Sequence, residues 1–379
     1  MATLQELMET NMLVECAYEC TKQSRWKETT QRYIADMLVR NLELQNEVLE
    51  GRYSVRPTTD FFLNERGHIR KIEAPVVRDR IVQKSLTVKV LTPSLRPYVI
   101  YDNYASLKMR GTHFARKRFE ILLRRYMSRN GMDGYVLLID IKKYFESIDH
   151  EVLKKLIAPK IASEPAEVVD LIHYTIDHSS HSNKGLNLGS EAPQILAVYY
   201  LNPIDQFVKV VKGIKYYGRY MDDIFVIAKT KAELKSLLAE IEAKLSELRL
   251  NVNKKKTHIV KLTHGFIFLQ VKYNILPTGK ILKRPAHSKV VRERRRLRAF
   301  KRRLDDGFMT EDQVWNCYKS WRGSVVREHN ACTKTLRSTD ALYASLFPAH
   351  VDVPRKGRTE LYMEAFRDAE TRDLKKLVV

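Results

Sequence analysis

The residues best suited to chemistry are Asp222 and Asp223, in the stretch Tyr220-Met221-Asp222-Asp223. Adjacent carboxylates repel unless a cation lies between them, and hard oxygen ligands of this kind suit Mg²⁺ best. Alone, an Asp-Asp pair reads as a solvated turn. A second segment changes that: Tyr135-Val136-Leu137-Leu138-Ile139 is an apolar run that ends on Asp140. A buried strand that delivers a carboxylate at its end builds a metal site on a rigid element. One strand-end Asp and one hairpin Asp pair make the ligand set of a two-ion phosphoryl-transfer site, in which both ions clamp an in-line transition state.

The flanking elements are those needed to hold such a set. Ile214-Lys215-Tyr216-Tyr217 and Ile224-Phe225-Val226-Ile227 are β-rich runs either side of the acids, so the pair is predicted at a hairpin turn. Thr230 to Glu233 has the form of a capping box. It opens a helix with Leu234, Leu237, Leu238, Ile241, Leu245 and Leu248 on one face, the core-facing stripe of a strand-helix-strand unit. The return strand is expected after Leu250 to Thr257. Glu151 to Ile161 reads as a short amphipathic helix and Ala115 to Met127 as a basic one, stopped at Asn130-Gly131. After them comes Lys184-Gly185-Leu186-Asn187-Leu188-Gly189-Ser190-Glu191-Ala192-Pro193-Gln194, whose glycines let a backbone pass close beneath a base pair; Gln194 is predicted to open the next helix. Residues 1–50 carry apolar residues at three- and four-residue steps without Pro or Gly and read as helices, interrupted at Ser24-Arg25-Trp26-Lys27, where packing of the Trp is expected.

Composition narrows the partner. The chain of 379 residues has a formal net charge of +22, which calls for a polyanion such as nucleic acid. Much of the charge is late: Lys283-Arg284-Pro285, then a dense basic helix from Arg292 to Arg303, ended by Asp306-Gly307. A second helix opens at the capping box Thr310 to Gln313, and a third is predicted around Leu342 to Leu346. No apolar stretch reaches membrane-spanning length and the N-terminus lacks the form of a signal peptide, so a cytoplasmic protein without a membrane partner is expected. Cys16, Cys20, Cys317 and Cys332 lack the further ligands of a zinc site and read as reduced structural thiols.

In order along the chain, these motifs resemble a bacterial reverse transcriptase of the non-LTR lineage. Asp140 corresponds to the first palm motif and Tyr220 to Asp223 to the YxDD motif. The resemblance implies an α+β right-hand polymerase with a ferredoxin-like palm, α/β fingers and a helical thumb. It divides the chain into an N-terminal helical segment (1–50), fingers (51–133), palm (134–270), basic thumb (271–350) and C-terminal tail (351–379). It implies RNA-directed DNA polymerase activity, adding deoxynucleotides to a 3′ end with two Mg²⁺, or Mn²⁺ in their place. Asp140, Ile141, Asp222 and Asp223 are then the metal residues, and Lys256 of Lys256-Thr257 acts on the leaving pyrophosphate. Three consecutive lysines suit a solvated turn equally well.

The same resemblance assigns the fingers segment Gly67 to Pro75, followed by Arg78-Asp79-Arg80-Ile81-Val82-Gln83. Arg70 would clamp the incoming triphosphate, since a guanidinium fork matches phosphate oxygens, with Lys71, Phe145, Gln194 and Tyr220 completing the nucleotide pocket. Phe145, fifth after Asp140, would lie beneath the sugar and exclude a 2′-hydroxyl, while Tyr144 turns into the palm if the chain is still extended. Tyr104 to His113 matches a template-contacting segment, and Gly265-Phe266-Ile267-Phe268-Leu269-Gln270 a primer-grip hairpin with Gln270 where Gly is usual. The loop departs from the family: Asn187 stands where Pro is usual, and Gly189 is followed three residues on by Pro193-Gln194. That departure favours a defence-associated or retron-like enzyme, with a cognate non-coding RNA and a partner protein as associates. The alternatives are a diversity-generating retroelement enzyme and a non-polymerising RNA-binding scaffold.

Overall fold

The structure, a computed structural model, describes residues 1–65, 68–187 and 189–348. The Gly67 turn and the tail 351–379 lie outside the described residues. The chain divides into two compact units, one of Met1–Leu269 with Pro277–Gly279, the other of Gln270–Leu276 and the chain from Lys280 on. No helix among the described residues is long and apolar enough to cross a membrane.

The first unit is built on a four-stranded antiparallel sheet of β3 (Tyr135–Ile139), β4 (Tyr217–Tyr220), β5 (Asp223–Ala228) and β6 (His258–Lys261), in the order β4-β5-β3-β6. With helices between β3 and β4 and between β5 and β6, this is the split βαββαβ arrangement of ferredoxin-like domains. Both faces are covered, which explains why β3 and, past Asp223, β5 are apolar rather than alternating. Leu137, Ile139, Ile224 and Val226 pack among helices on one side. On the other, Phe225 meets Phe119 edge-on at 4.7 Å and Phe268 at 5.1 Å between ring centroids. Each fully buried side chain of this size contributes about 1.5–3 kcal/mol, so the sheet is a firm platform.

The helix Lys231–Glu247 follows β5 and buries Leu234, Leu237, Ile241 and Leu245. Its N-cap Thr230 accepts from the Glu233 N–H, the half of the capping box that the structure forms. The basic helix runs further than its pattern, Thr112–Asn130. Upstream, β1 (Thr59–Glu65) and β2 (His68–Ala74) form an antiparallel hairpin followed by the helix Val77–Leu86. The N-terminal segment is helical at Leu4–Leu7, Thr10–Thr21, Glu28–Ala35 and Met37–Leu49. One expectation there fails: Trp26 does not pack but is 77% exposed, with Lys27 over its ring. It sits in the break between the helices Thr10–Thr21 and Glu28–Ala35. All four cysteines are free, and burial pushes Cys16 and Cys20 up to about 12 and about 11.

The second unit contains the hairpin β8 (Val271–Ile275) and β9 (Ile281–Pro285), with β7 (Phe266–Phe268) preceding it in the first unit. Among the described residues three helices follow, His287–Asp305, Glu311–Glu328 and Thr333–Leu346. The Thr310–Gln313 capping box forms in both directions. Tyr318 and Tyr343 stack at 4.4 Å at the centre of a core that includes Leu297, Val314, Val325 and Leu336.

Candidate active site

Strand register brings the acids together. Ile139 pairs with Ile224, so one step further along the antiparallel ladder Asp140 lies opposite Asp223. Tyr220 pairs with Asp223, leaving Met221 and Asp222 as a two-residue hairpin turn. Met221 takes a φ of +52°, a left-handed conformation uncommon for an L side chain and one that clusters at functional sites. The three carboxylates therefore converge from a strand end and a tight turn. They are not gathered to ligand distance: the group of described residues whose ligand atoms all lie within 4.8 Å of one another is instead Asp60, Glu73 and His181, in the β1–β2 region.

Asp140 is held from the segment before β6. Asn253 donates to its carboxylate through Nδ2 at 2.9 Å and to its carbonyl through the backbone N–H at 2.7 Å. Thr257 Oγ1 accepts from the Asp140 N–H at 3.2 Å, and Lys256 Nζ stands 3.2 Å from Asp140 Oδ1. Lys256 is 66% exposed, so this contact is weak in water and free to exchange. Ile141 bridges to Val252, but the bonds beside that bridge belong to Asp140 and Lys142. The bridge does not use the Ile141 carbonyl, which leaves it available as a hard oxygen donor.

Past Asp140 the chain is not extended. Tyr144–Ser147 is a helical turn entered through Lys143 at φ +47°. The turn still separates the two rings. Tyr144 is 3% exposed and donates to the Ala197 carbonyl, whereas Phe145 is half-buried, edge-on to Tyr144 at 5.6 Å. Burial holds the Tyr144 hydroxyl well above its ordinary range, with Arg219 opposing and Asp222 adding to the shift.

The glycine loop docks on this turn. Leu186 N–H donates to the Phe145 carbonyl at 3.0 Å, Gly185 N–H to the Ile148 carbonyl at 2.8 Å, and the His150 ring lies 2.7 Å from the Gly185 carbonyl. A Cβ on Gly185 would rest in ordinary contact with Glu146 and Phe145, but its φ of +95° demands glycine. The following helix is Glu191–Tyr200, so Gln194 lies within its first turn rather than opening it. Gln194 is exposed and accepts from Ser106 at 3.2 Å, which ties in the Tyr104 to His113 segment. Tyr220 is half-buried; burial raises its hydroxyl, Arg116 counters and Asp223 adds.

In the β1–β2 hairpin, Arg70 of β2 pairs with Leu63 of β1; its side chain lies outside the described ones. Lys71 pairs with Phe62. Its ammonium lies 2.8 Å from Asp60 and 3.0 Å from Glu73. Its charge is thus already neutralised on its own hairpin, within the same acidic group, which explains why those carboxylates can sit so close.

Two features escape the motif reading. Asn253, the firmest partner of Asp140, carries no signal beyond an Asn-Val-Asn stretch before three lysines. Arg219, one residue before Tyr220, reads as an ordinary strand residue, yet with Asp205 it is fully buried beneath the hairpin.

Comparison with known proteins agrees with this architecture. The reverse transcriptase (RNA-dependent DNA polymerase) family matches residues 59–276, more than half of the chain. No curated protein matches the sequence. Among solved structures, apo telomerase from Candida tropicalis is similar at 12% identity and a TM-score of 0.50, covering 77% of this chain and 58% of that one. Its form truncated from the C-terminal domain gives 13%, 0.46, 65% and 60%. Telomerase from Candida albicans in complex with a TWJ fragment of telomeric RNA gives 12%, 0.47, 76% and 55%. This chain thus spans about 60% of the telomerases it matches, and the likeness is one of fold, the right-hand polymerase. The chain belongs to the reverse transcriptase family.

Proposed function

We propose that the chain is an RNA-directed DNA polymerase that extends a 3′ end by phosphoryl transfer. The observation that carries the reading is the register that sets Asp140 across from Asp223 at the Asp222 turn. Asp140, Asp222, Asp223 and the Ile141 carbonyl form an all-oxygen donor set that fits two Mg²⁺, with Mn²⁺ as a substitute. When bound, such ions favour ionisation of the 3′-hydroxyl and neutralise the departing charge. The 3′-oxygen forms a bond to the α-phosphorus, the bond from that phosphorus to the leaving oxygen breaks, and pyrophosphate departs. Lys256 swings from Asp140 to the pyrophosphate. Phe145 lies beneath the sugar, Tyr220 and Gln194 border the base pair, and Arg70 holds the triphosphate. Lys71, whose exposed ammonium contacts Asp60 and Glu73, would exchange those partners for the triphosphate.

In this reading residues 51–133 are fingers, 134–270 palm and 271–350 thumb, following 1–50 and preceding 351–379. The partners are an RNA template, the DNA product with its primer, and dNTPs. The unusual loop with Asn187, Gly189 and Pro193-Gln194 supports a bacterial defence or retron-like role with a cognate non-coding RNA and a partner protein in the cytoplasm. The test is primer extension on an RNA template with four dNTPs and Mg²⁺. Template-encoded DNA is expected; RNA binding without extension would favour a scaffold. Sequencing the nucleic acid that co-purifies separates a defence or retron-like role from a diversity-generating one.

A further inference from the structure

We infer that Arg219 is the positioning residue of the hairpin that carries Asp222 and Asp223, acting from below through a buried fork anchored on Asp205. The inference rests on the polymerase reading of that hairpin. It names a residue outside the acids and the nucleotide pocket.

The geometry is over-determined. Arg219 and Asp205 are both 0% exposed, and neither charge has water to solvate it. Arg219 Nε donates to Asp205 Oδ1 at 2.8 Å and Nη2 to Oδ2 at 2.5 Å, a bidentate pair. Tyr217 donates its hydroxyl to the same Oδ1 at 2.5 Å. The remaining guanidinium donors are aimed elsewhere: Nη2 also reaches the Val198 carbonyl at 2.9 Å, and Nη1 the Met221 carbonyl at 3.1 Å. Met221 is the turn residue at φ +52°. Such a conformation persists only where its surroundings fix it, and the Arg219 Nη1 bond is a contact that does so.

A core ion pair that served packing alone would not direct a donor into the one strained turn bearing the acids. Apolar residues of similar volume generally do as well or better for stability. The choice of Arg has a reason: a planar fork with five donors can satisfy Asp205, Val198 and Met221 at once, where an ammonium cannot. The Val198 bond adds a second function. Val198 lies in the helix Glu191–Tyr200, which also receives the Tyr144 hydroxyl at Ala197 and Ser106 at Gln194. Arg219 therefore references the acid hairpin to the same helix that locates the Phe145 turn and the glycine loop, so metal residues and nucleotide pocket keep one spacing.

The experiment compares three full-length variants with wild type. Arg219→Met leaves Asp205 buried and unpaired, and a lower melting temperature is expected. Arg219→Met combined with Asp205→Leu removes both charges, so melting should recover while the Met221 carbonyl still lacks its donor. Arg219→Lys keeps a charge on Asp205 but loses the fork. For the double variant and Arg219→Lys, kcat for single-nucleotide extension should fall about 10²-fold, the cost of a misplacement near 1 Å. The Mg²⁺ concentration for half-maximal rate should rise, and Mn²⁺ binding followed by electron paramagnetic resonance should weaken in parallel. If either variant melts like wild type and also keeps wild-type kcat and Mn²⁺ affinity, Arg219 is merely structural and the inference fails. If the double variant does not fold, Arg219→Lys decides by the same criteria. Failure of the polymerase reading looks different: wild type itself would not extend, and Mn²⁺ binding alone then decides the positioning role.

Discussion

We propose that sugar choice rests on a single residue. Phe145 is half-buried at the mouth of a helical turn whose neighbour Tyr144 is fully committed to the core. A rigid ring beneath the sugar rejects a 2′-hydroxyl sterically, so removing it admits ribonucleotides without disturbing the acids. Phe145→Ala should raise rNTP over dNTP incorporation by about one to two orders of magnitude, within the 1–3 kcal/mol that small steric changes in a pocket carry. Tyr144→Val should instead cost stability, since it deletes a buried ring and removes the hydroxyl that donates to the Ala197 carbonyl. Matched single-nucleotide extension with each sugar measures both. An unchanged preference in Phe145→Ala would move the gate to another residue. The separation of the two rings could be anticipated from their adjacency; the means could not, because Lys143 at φ +47° turns the chain into a helix where the sequence reads as extended.

Elements carry two further expectations. The hairpin β4–β5 depends on Gly218, where an added Cβ would lie 2.4 Å from the Tyr104 hydroxyl and 2.8 Å from the Phe225 ring. Tyr104 is fully buried and bonded to Asp102, so it cannot retreat cheaply. Gly218→Ala should lower stability by about 1–3 kcal/mol, read by chemical denaturation, and an unchanged midpoint would show that Tyr104 relaxes. In the second unit, the helix His287–Asp305 exposes Arg292, Arg295, Arg298 and Arg302, whereas Arg294 turns to Ser338 Oγ at 2.7 Å. If the exposed row tracks a nucleic-acid backbone, Arg295→Ala with Arg298→Ala should flatten the slope of log affinity against log salt. The change is about 0.9 per lost phosphate contact on B-form DNA and smaller on a hybrid. Arg294→Ala should leave the slope alone, and an equal effect in both would place the binding surface elsewhere. The sequence marks the helix and its charge but not which arginines are free, because that depends on Ser338 arriving from 44 residues away.

At the scale of the whole molecule, the motifs and their order were legible because apolar runs, turn residues and acids each leave a local trace. Asp140 at a strand end, the acids at a hairpin and the leucine face of Lys231–Glu247 all follow from period and residue type. What stayed hidden is long-range and polar: Asn253 on Asp140, and Arg219 with Asp205 under Met221. A buried charge pair has no signature in either residue alone, and neither do the two carboxylates beside Lys71. We propose that Asp140 and Asp222 hold the ions of a phosphoryl-transfer site. Asp140→Asn and Asp222→Asn each remove one anionic ligand with little change of shape. The most direct measurement is primer extension by both variants at saturating Mg²⁺, beside RNA affinity measured on the same preparations. Loss of extension in each, with RNA affinity and melting near wild type, is the predicted result; extension at the wild-type rate in either variant would contradict it.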